Sequence, residues 1–262
     1  MSTISGATSL HPTCGDISSN CDSARRFGRF GSTRSRCGTV TNVSDVLTPL
    51  QRRFLRAFFA GDVGSRFFLT GGTALSAFYL HHRLSGDIDL FTTDDDALPL
   101  IRREMPLIAN SLDCQVRSGA TTPHFQMFFL ESRSEPTLKI DLVRDADIQF
   151  GVRQEIEGII LDAEENIAVN KILSLFGRAE SKDFVDLYFL LRTGYDFERL
   201  VALAKQKDAG LTEFWLAGMM REVAKLEDLP IMLKPLTLEE LRAFFLKLAD
   251  REFRDVRPSN WG

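Results

Sequence analysis

No apolar run in the 262 residues approaches the roughly 18 to 20 that a membrane helix needs, and the N-terminus lacks the apolar segment of a secretory signal. Both absences point to a protein of the cytoplasm with no membrane partner. Cysteine is scarce: Cys14, Cys21 and Cys37 lie near the N-terminus, Cys114 stands alone, and there is no Cys-x-x-Cys pair. That excludes the common zinc and dithiol motifs, and all four are expected as free thiols. No internal repeat is visible.

Residues 1–43 have few clustered apolar side chains but much Ser, Thr, Gly and Arg. Such a segment cannot bury enough surface to offset its ordering entropy, so it is expected to be disordered. Five arginines (Arg25, Arg26, Arg29, Arg34 and Arg36) oppose Asp16 and Asp22, giving this stretch +3 within a chain of net charge −4. The composition suits an organelle transit peptide; a translation start placed too far upstream is the preferred alternative. The remainder carries −7, which argues against broad nonspecific nucleic-acid binding while leaving room for a local basic groove.

From Ser44 the periodicity predicts an α+β protein. Leu47, Leu50, Phe54, Leu55, Phe58 and Phe59 recur at helical spacing, with Ser44 or Asp45 as the cap. Residues 66–70 read as a buried strand stopping at Gly71-Gly72, residues 73–81 as a helix, 87–92 as a strand and 95–112 as a helix. Strands follow at 115–117, 124–131 and 137–143, making a mixed sheet with flanking helices over residues 44–161. Residues 162–262 read as a helical region, with a break around 177–180 where Ser181 would cap the next helix.

A strand, a Gly-Gly turn and a helix start together suit an anion, because glycines let a phosphate approach and the first helical N–H groups lack partners. Thr73 adds a hydroxyl. An ordinary turn before an ordinary helix is the alternative. Asp87-Ile88-Asp89 puts two carboxylates on one face of a strand whose other residues are apolar. Two like charges there either meet solvent or share a hard cation such as Mg²⁺. Asp94-Asp95-Asp96 and Asp145-Ala146-Asp147 share the spacing but not the setting. Asp141 sits inside an apolar strand opposite in facing to Ile140 and Leu142. It either joins Asp87 and Asp89 as a third acid, enough for a two-metal site, or pairs with an arginine such as Arg144 or Arg153.

This combination resembles the nucleotidyltransferase superfamily with the polymerase-beta-like minimal fold, and more closely the AbiEii/AbiGii toxin family of abortive-infection systems. Four ordered blocks carry the likeness: Leu69-Thr70-Gly71-Gly72-Thr73-Ala74-Leu75; His82-Arg83-Leu84-Ser85-Gly86-Asp87-Ile88-Asp89-Leu90-Phe91; Lys139-Ile140-Asp141; and residues 166–178 with Lys182-Asp183-Phe184-Val185-Asp186-Leu187. In the family pattern D-x-x-x-x-K-x-x-A-x-x-x-R, this chain has Asn166, Lys171, Ser174 and Arg178. Lys171 and Arg178 are two helical turns apart and project from one face, toward phosphates or toward solvent. Asn166 is as good a helix cap as Asp; if the family's Asp has another role, activity is in doubt. Lys182 and Asp186 form an i, i+4 pair, Asp183 and Asp186 share a side, Arg83 and Ser85 orient the Asp-x-Asp strand or touch phosphate, and His81 and His82 end a helix.

The resemblance implies a Mg²⁺-dependent transfer of NMP from an NTP to an RNA or protein acceptor, in some relatives the 3′ end of tRNA. It implies Asp87, Asp89 and Asp141 as metal-binding catalytic residues and Lys171 as a further catalytic residue. Gly71, Gly72, Thr73, Arg178, Lys182 and Asp183 would bind nucleotide. A winged-helix antitoxin encoded nearby is implied too. The alternative is an inactive NTP-binding module of the same fold.

Overall fold

A computed structural model describes residues 46–254. The expected disorder of residues 1–43, the Ser44 or Asp45 cap and three of the four cysteines lie outside them. Cys114 is a buried free thiol.

The described residues belong to one compact unit of the chain. Helix α1 (Pro49–Phe59) starts where Thr48 caps it: the Thr48 hydroxyl accepts from the Gln51 N–H, the Gln51 side chain accepts from the Thr48 N–H, and Pro49 occupies the first helical position. Its Leu50, Phe54, Leu55 and Phe58 are buried. The other end of the Gln51 amide donates to the Ser85 and Gly86 carbonyls at 2.8 and 3.1 Å. The first helix therefore clamps the loop that leads into Asp87.

Strand β1 (Phe68–Thr70) runs into α2 (Gly71–Ala74), which continues as a π-helical stretch (Leu75–Leu80) and stops at His81 in the left-handed region. There follow β2 (Ile88–Thr92), α3 (Ala97–Ser111), β3 (Gln115–Thr122), β4 (Phe125–Glu131), β5 (Leu138–Arg144), β6 (Gln154–Ile156) and β7 (Ile159–Leu161). The seven strands form one mixed sheet in the order β3-β4-β5-β2-β1-β7-β6. β2 lies antiparallel to β1 and parallel to β5.

The period of two is clean. Ile88, Leu90, Gln126, Phe128, Leu130, Leu138, Ile140 and Leu142 are buried, while the residues between them are partly exposed. Both β3 and the β6–β7 hairpin depart from the sequence reading. β3 is longer than residues 115–117 because β4 supplies its hydrogen bonds, with a register shift between Ser118 and Thr121. The hairpin turns at Glu157 (φ 53°) and Gly158 (φ 76°), a two-residue connection of the kind that suits sheet twist.

The helical half comprises α4 (Glu164–Gly177), α5 (Ser181–Arg192), α6 (Phe197–Lys207), α7 (Glu213–Arg221), a 3₁₀ turn (Glu222–Lys225) and α8 (Leu238–Glu252). Both halves contribute to one hydrophobic cluster. Ser181 is not the cap expected of it: Glu180 precedes α5 as its cap residue, and Ser181 donates instead to the Asp228 carbonyl at 2.8 Å. Among the described residues no helix is long and apolar enough to cross a membrane.

Candidate active site

Two strand pairings assemble the acids. Thr70 stands opposite Asp89 across β1 and β2, and Asp89 stands beside Asp141 across β2 and β5. Asp87, two residues earlier, shares the face of Asp89. The pairings bring Asp89 and Asp141 side by side on the partly exposed side of the sheet, with Asp87 near enough to act on the Asp89 charge. The arginine pairings weighed for Asp141 do not occur. Arg144 donates to Asp95 and Asp147, and the Arg153 guanidinium lies 3.7 Å from the Phe68 ring centroid. Lys139 is the neighbour of Asp141 instead, its Nζ 2.6 Å from Asp141 Oδ2 and 4.0 Å from Asp87 Oδ2.

Burial, with Asp141 and Asp87 adding to it and Lys171 opposing, pushes the Asp89 carboxyl up to about 6. Asp141 Oδ1 is buried and has no hydrogen-bond partner. A carboxylate held against its own charge and an orphaned carboxylate oxygen are what a hard cation would relieve. Lys139 partly fills that role already. Among the described residues no three His, Cys, Asp or Glu side chains are gathered as a ready-made metal cage, and Lys139, on Asp141 Oδ2, stands where it competes with a cation for the same carboxylate.

The Gly-Gly turn is explained by what presses on it. Gly71 has φ +67°, and a Cβ there would sit 2.3 Å from Asp89 Oδ2; a Cβ on Gly72 would sit 2.4 Å from Arg83 Nη2. The pair lets α2 begin directly against the Asp89 carboxylate and the Arg83 guanidinium. Thr70 offers α2 no side-chain cap. Thr73 is buried and donates its hydroxyl to the Asp87 carbonyl, so it fixes the acidic strand and does not face the open side.

Behind this turn lies a buried ionic network that joins residues a hundred positions apart. Asp186 accepts from Arg83 Nε at 2.6 Å and Nη2 at 2.8 Å, meets His82 Nε2 at 2.8 Å, and pairs with Lys171 at 2.6 Å. Asp183 takes Lys171 at 3.1 Å and Arg178 at 2.8 and 3.1 Å. Burial favours the neutral acids, but Lys171 and Arg83 hold the Asp186 carboxyl well below the usual range, and Lys171 and Arg178 hold Asp183 below it. Burial lowers His82 despite its bond to Asp186. Lys171, Arg83 and Arg178 face Asp183, Asp186 and, at the rim, Glu180, which lies 3.9 Å from Arg178, and all three cations act on Asp89.

Several expectations are revised here. Lys171 and Arg178 do share a face, but Lys171 is buried in ion pairs and only Arg178 is half-exposed. Lys182 does not pair with Asp186, which is inside the network; it points outward and meets Glu180 at 3.0 Å. Asp183 is fully buried between Lys171 and Arg178. His81 closes the helical stretch as expected, and His82 just beyond it is a buried member of the network. Asn166 is not a cap, because Ala163 precedes α4. The Asn166 amide donates to both Asp162 oxygens, at 3.0 and 2.9 Å, and to Gln149, while Thr70 donates to Asp162 at 2.7 Å. An Asp at 166 would set two carboxylates in contact.

The family described as "Nucleotidyl transferase AbiEii toxin, Type IV TA system" matches residues 53–258. An uncharacterized protein of Aquifex aeolicus (strain VF5) is 27% identical over 165 residues, 60% of this chain and 73% of that protein. A crystal structure of a candidate nucleotidyltransferase from H. pylori is 18% identical with a TM-score of 0.50, over 79% of this chain and 95% of that one. MenT4, a nucleotidyltransferase toxin of Mycobacterium tuberculosis H37Rv, is 12% identical with a TM-score of 0.47, over 80% and 83% of the two chains.

Proposed function

The chain belongs to the AbiEii nucleotidyltransferase toxin family of type IV toxin–antitoxin systems, and from that premise we propose that it moves NMP from an NTP to a hydroxyl at the end of an RNA, with Mg²⁺ required. The register that sets Asp89 beside Asp141 carries this reading. Asp87, Asp89 and Asp141 are the residues that would hold Mg²⁺, as a two-metal site, and the ions when bound would neutralise phosphate charge and lower the pKa of the attacking hydroxyl.

The acceptor oxygen attacks the α-phosphorus, the bond to the β-phosphate breaks, and pyrophosphate leaves with its electron pair. The hydroxyl proton passes to a carboxylate of the cluster or to water. Gly71 and Gly72 let α2 begin against Asp89 and Arg83, beside which the phosphates would lie, with Thr73 holding the adjacent Asp87 carbonyl in place. The Arg178 guanidinium, with Lys171 and Arg83 behind it, offsets negative charge gathering on the leaving group. Arg178, half-exposed, is the member able to reach the nucleotide; Lys171 and Asp183 act through it and through Asp89, and Lys182 only from the rim.

RNA as acceptor, and the 3′ end of tRNA within that class, follows from the family resemblance, with a protein acceptor as the other outcome. The cytoplasm holds both substrates. As a toxin of a two-component system the chain has an antitoxin, for which a winged-helix regulator encoded beside it is the expected form. The inactive-module alternative rests on Asn166 in place of the family's Asp; the hydrogen bonds of Asn166 to Asp162 and Gln149 give it a structural task instead. Incubation with each α-labelled NTP, Mg²⁺ and total RNA tests the reading. Label on RNA with one NTP supports it; tight NTP binding without any transfer supports the inactive module.

A further inference from the structure

The sheet is open beyond the acids. On the face that bears Asp89 and Asp141, β4 presents Phe125, Met127 and Phe129, each partly exposed, while Gln126, Phe128 and Leu130 between them are buried. These three stand apart from the hydrophobic core cluster. Met127 is the register partner of Asp141, and Phe129 is the partner of both Lys139 and Arg117. The Arg117 guanidinium lies 4.1 Å from the Phe129 ring centroid, with Nε donating to Glu131 at 3.0 Å. Gly119 completes the surface: a Cβ there would lie 2.9 Å from Met127 Sδ and 3.1 Å from the Phe129 ring, so β3 comes down close over this strip.

The geometry points to this strip as the seat of the acceptor, the unpaired end of an RNA whose bases stack on Phe129, Arg117 and Phe125. The inference rests on the RNA-acceptor reading above. Direction decides between donor and acceptor. The Gly71-Gly72 turn lies on the β1 side of the acids, and the aromatic strip lies on the β4 side. In an in-line displacement the attacking and leaving oxygens lie on opposite sides of the α-phosphorus. With the triphosphate at the glycine turn, the attacking hydroxyl arrives from β4 and β3. Partly exposed aromatic rings with an arginine plane laid over one of them are the surface on which unpaired bases stack, and the strip is continuous with the acids through Met127 and Asp141.

The test uses the full chain, a short fluorescent single-stranded RNA with a free 3′ hydroxyl, and the variants Arg117→Ala and Phe129→Leu. Each variant is expected to weaken RNA binding about tenfold, as loss of one stacking partner does, with NTP affinity by calorimetry unchanged. Arg117 is exposed, so its variant keeps the test alive if Phe129→Leu fails to fold. RNA affinity equal to wild type in Arg117→Ala, or a loss of NTP affinity in place of RNA affinity, overturns the assignment. Wild-type protein that labels RNA while Arg117→Ala binds it equally well sinks the surface alone. Wild-type protein that neither binds nor labels RNA sinks the RNA-acceptor reading, and the surface with it.

Discussion

Asp89 and Asp141 are register partners on adjacent parallel strands, so their carboxylates share one face and each acts on the charge of its neighbour. The arrangement is unfavourable in the free protein, and that cost is measurable.

Asp89 titrates near 6 in the folded chain against an ordinary value of 3.8. A raised carboxyl means that the folded state holds the proton more tightly, so stability falls as pH rises from about 4 through 6 and the full cost, at most about 3 kcal/mol, is present above that. Asp89→Asn is expected to raise the thermal midpoint at pH 8, with the gain disappearing near pH 4, while abolishing transfer. A lower midpoint at pH 8 would contradict this placement of Asp89.

Gly71 has φ +67° and its missing Cβ leaves room for Asp89 Oδ2. Gly71→Ala is expected to cost about 1 to 3 kcal/mol in stability through backbone strain and to reduce transfer by orders of magnitude by displacing the carboxylate. Calorimetry and single-turnover kinetics read the two effects separately; full activity in a destabilised variant would mean that the contact is only structural.

Removing the charge of Asp186 leaves Lys171 and Arg83 buried without their shared partner. Asp186→Asn is expected to destabilise by roughly 3 to 5 kcal/mol, as breaking a buried ion pair does. The lowered Asp186 carboxyl contributes stability above its unfolded pKa, lost as pH falls through the folded value. Urea unfolding at pH 7 and at pH 3 is the check: the difference between wild type and variant should shrink at the lower pH.

Lys139 meets Asp141 at 2.6 Å where a cation would bind. Lys139→Gln is expected to tighten Mn²⁺ binding several-fold, read by titration calorimetry without nucleotide. Weaker Mn²⁺ binding in the variant would mean that Lys139 supports the site rather than competing for it.

The acidic strands were legible in the sequence because alternation is a local property: Asp89 and Asp141 each sit between apolar neighbours that must face the core, and Asp87 lies two residues before Asp89. The Gly-Gly turn was legible as a turn, but its cause was not, since Asp89 and Arg83 press on it from residues further along. Asp186 looked like a surface partner for Lys182 because helical spacing allowed it. Its partners, Arg83 and His82, come from over a hundred residues earlier, and no local pattern records such a contact. Two buried acids opening α5, with a lysine and an arginine two turns apart on the helix before, were the available signal. Asn166 misled for a similar reason, since its partner Asp162 lies just outside the helix that it was thought to cap.

The central claim is that these acids support nucleotidyl transfer. The most direct measurement is Mg²⁺-dependent pyrophosphate release with transfer of α-label to RNA, comparing wild type with Asp89→Asn and Asp141→Asn, each verified as folded. The expected result is label with wild type alone, lost when Mg²⁺ is chelated. Equal labelling by the variants, or release that persists without a divalent cation, would contradict the account.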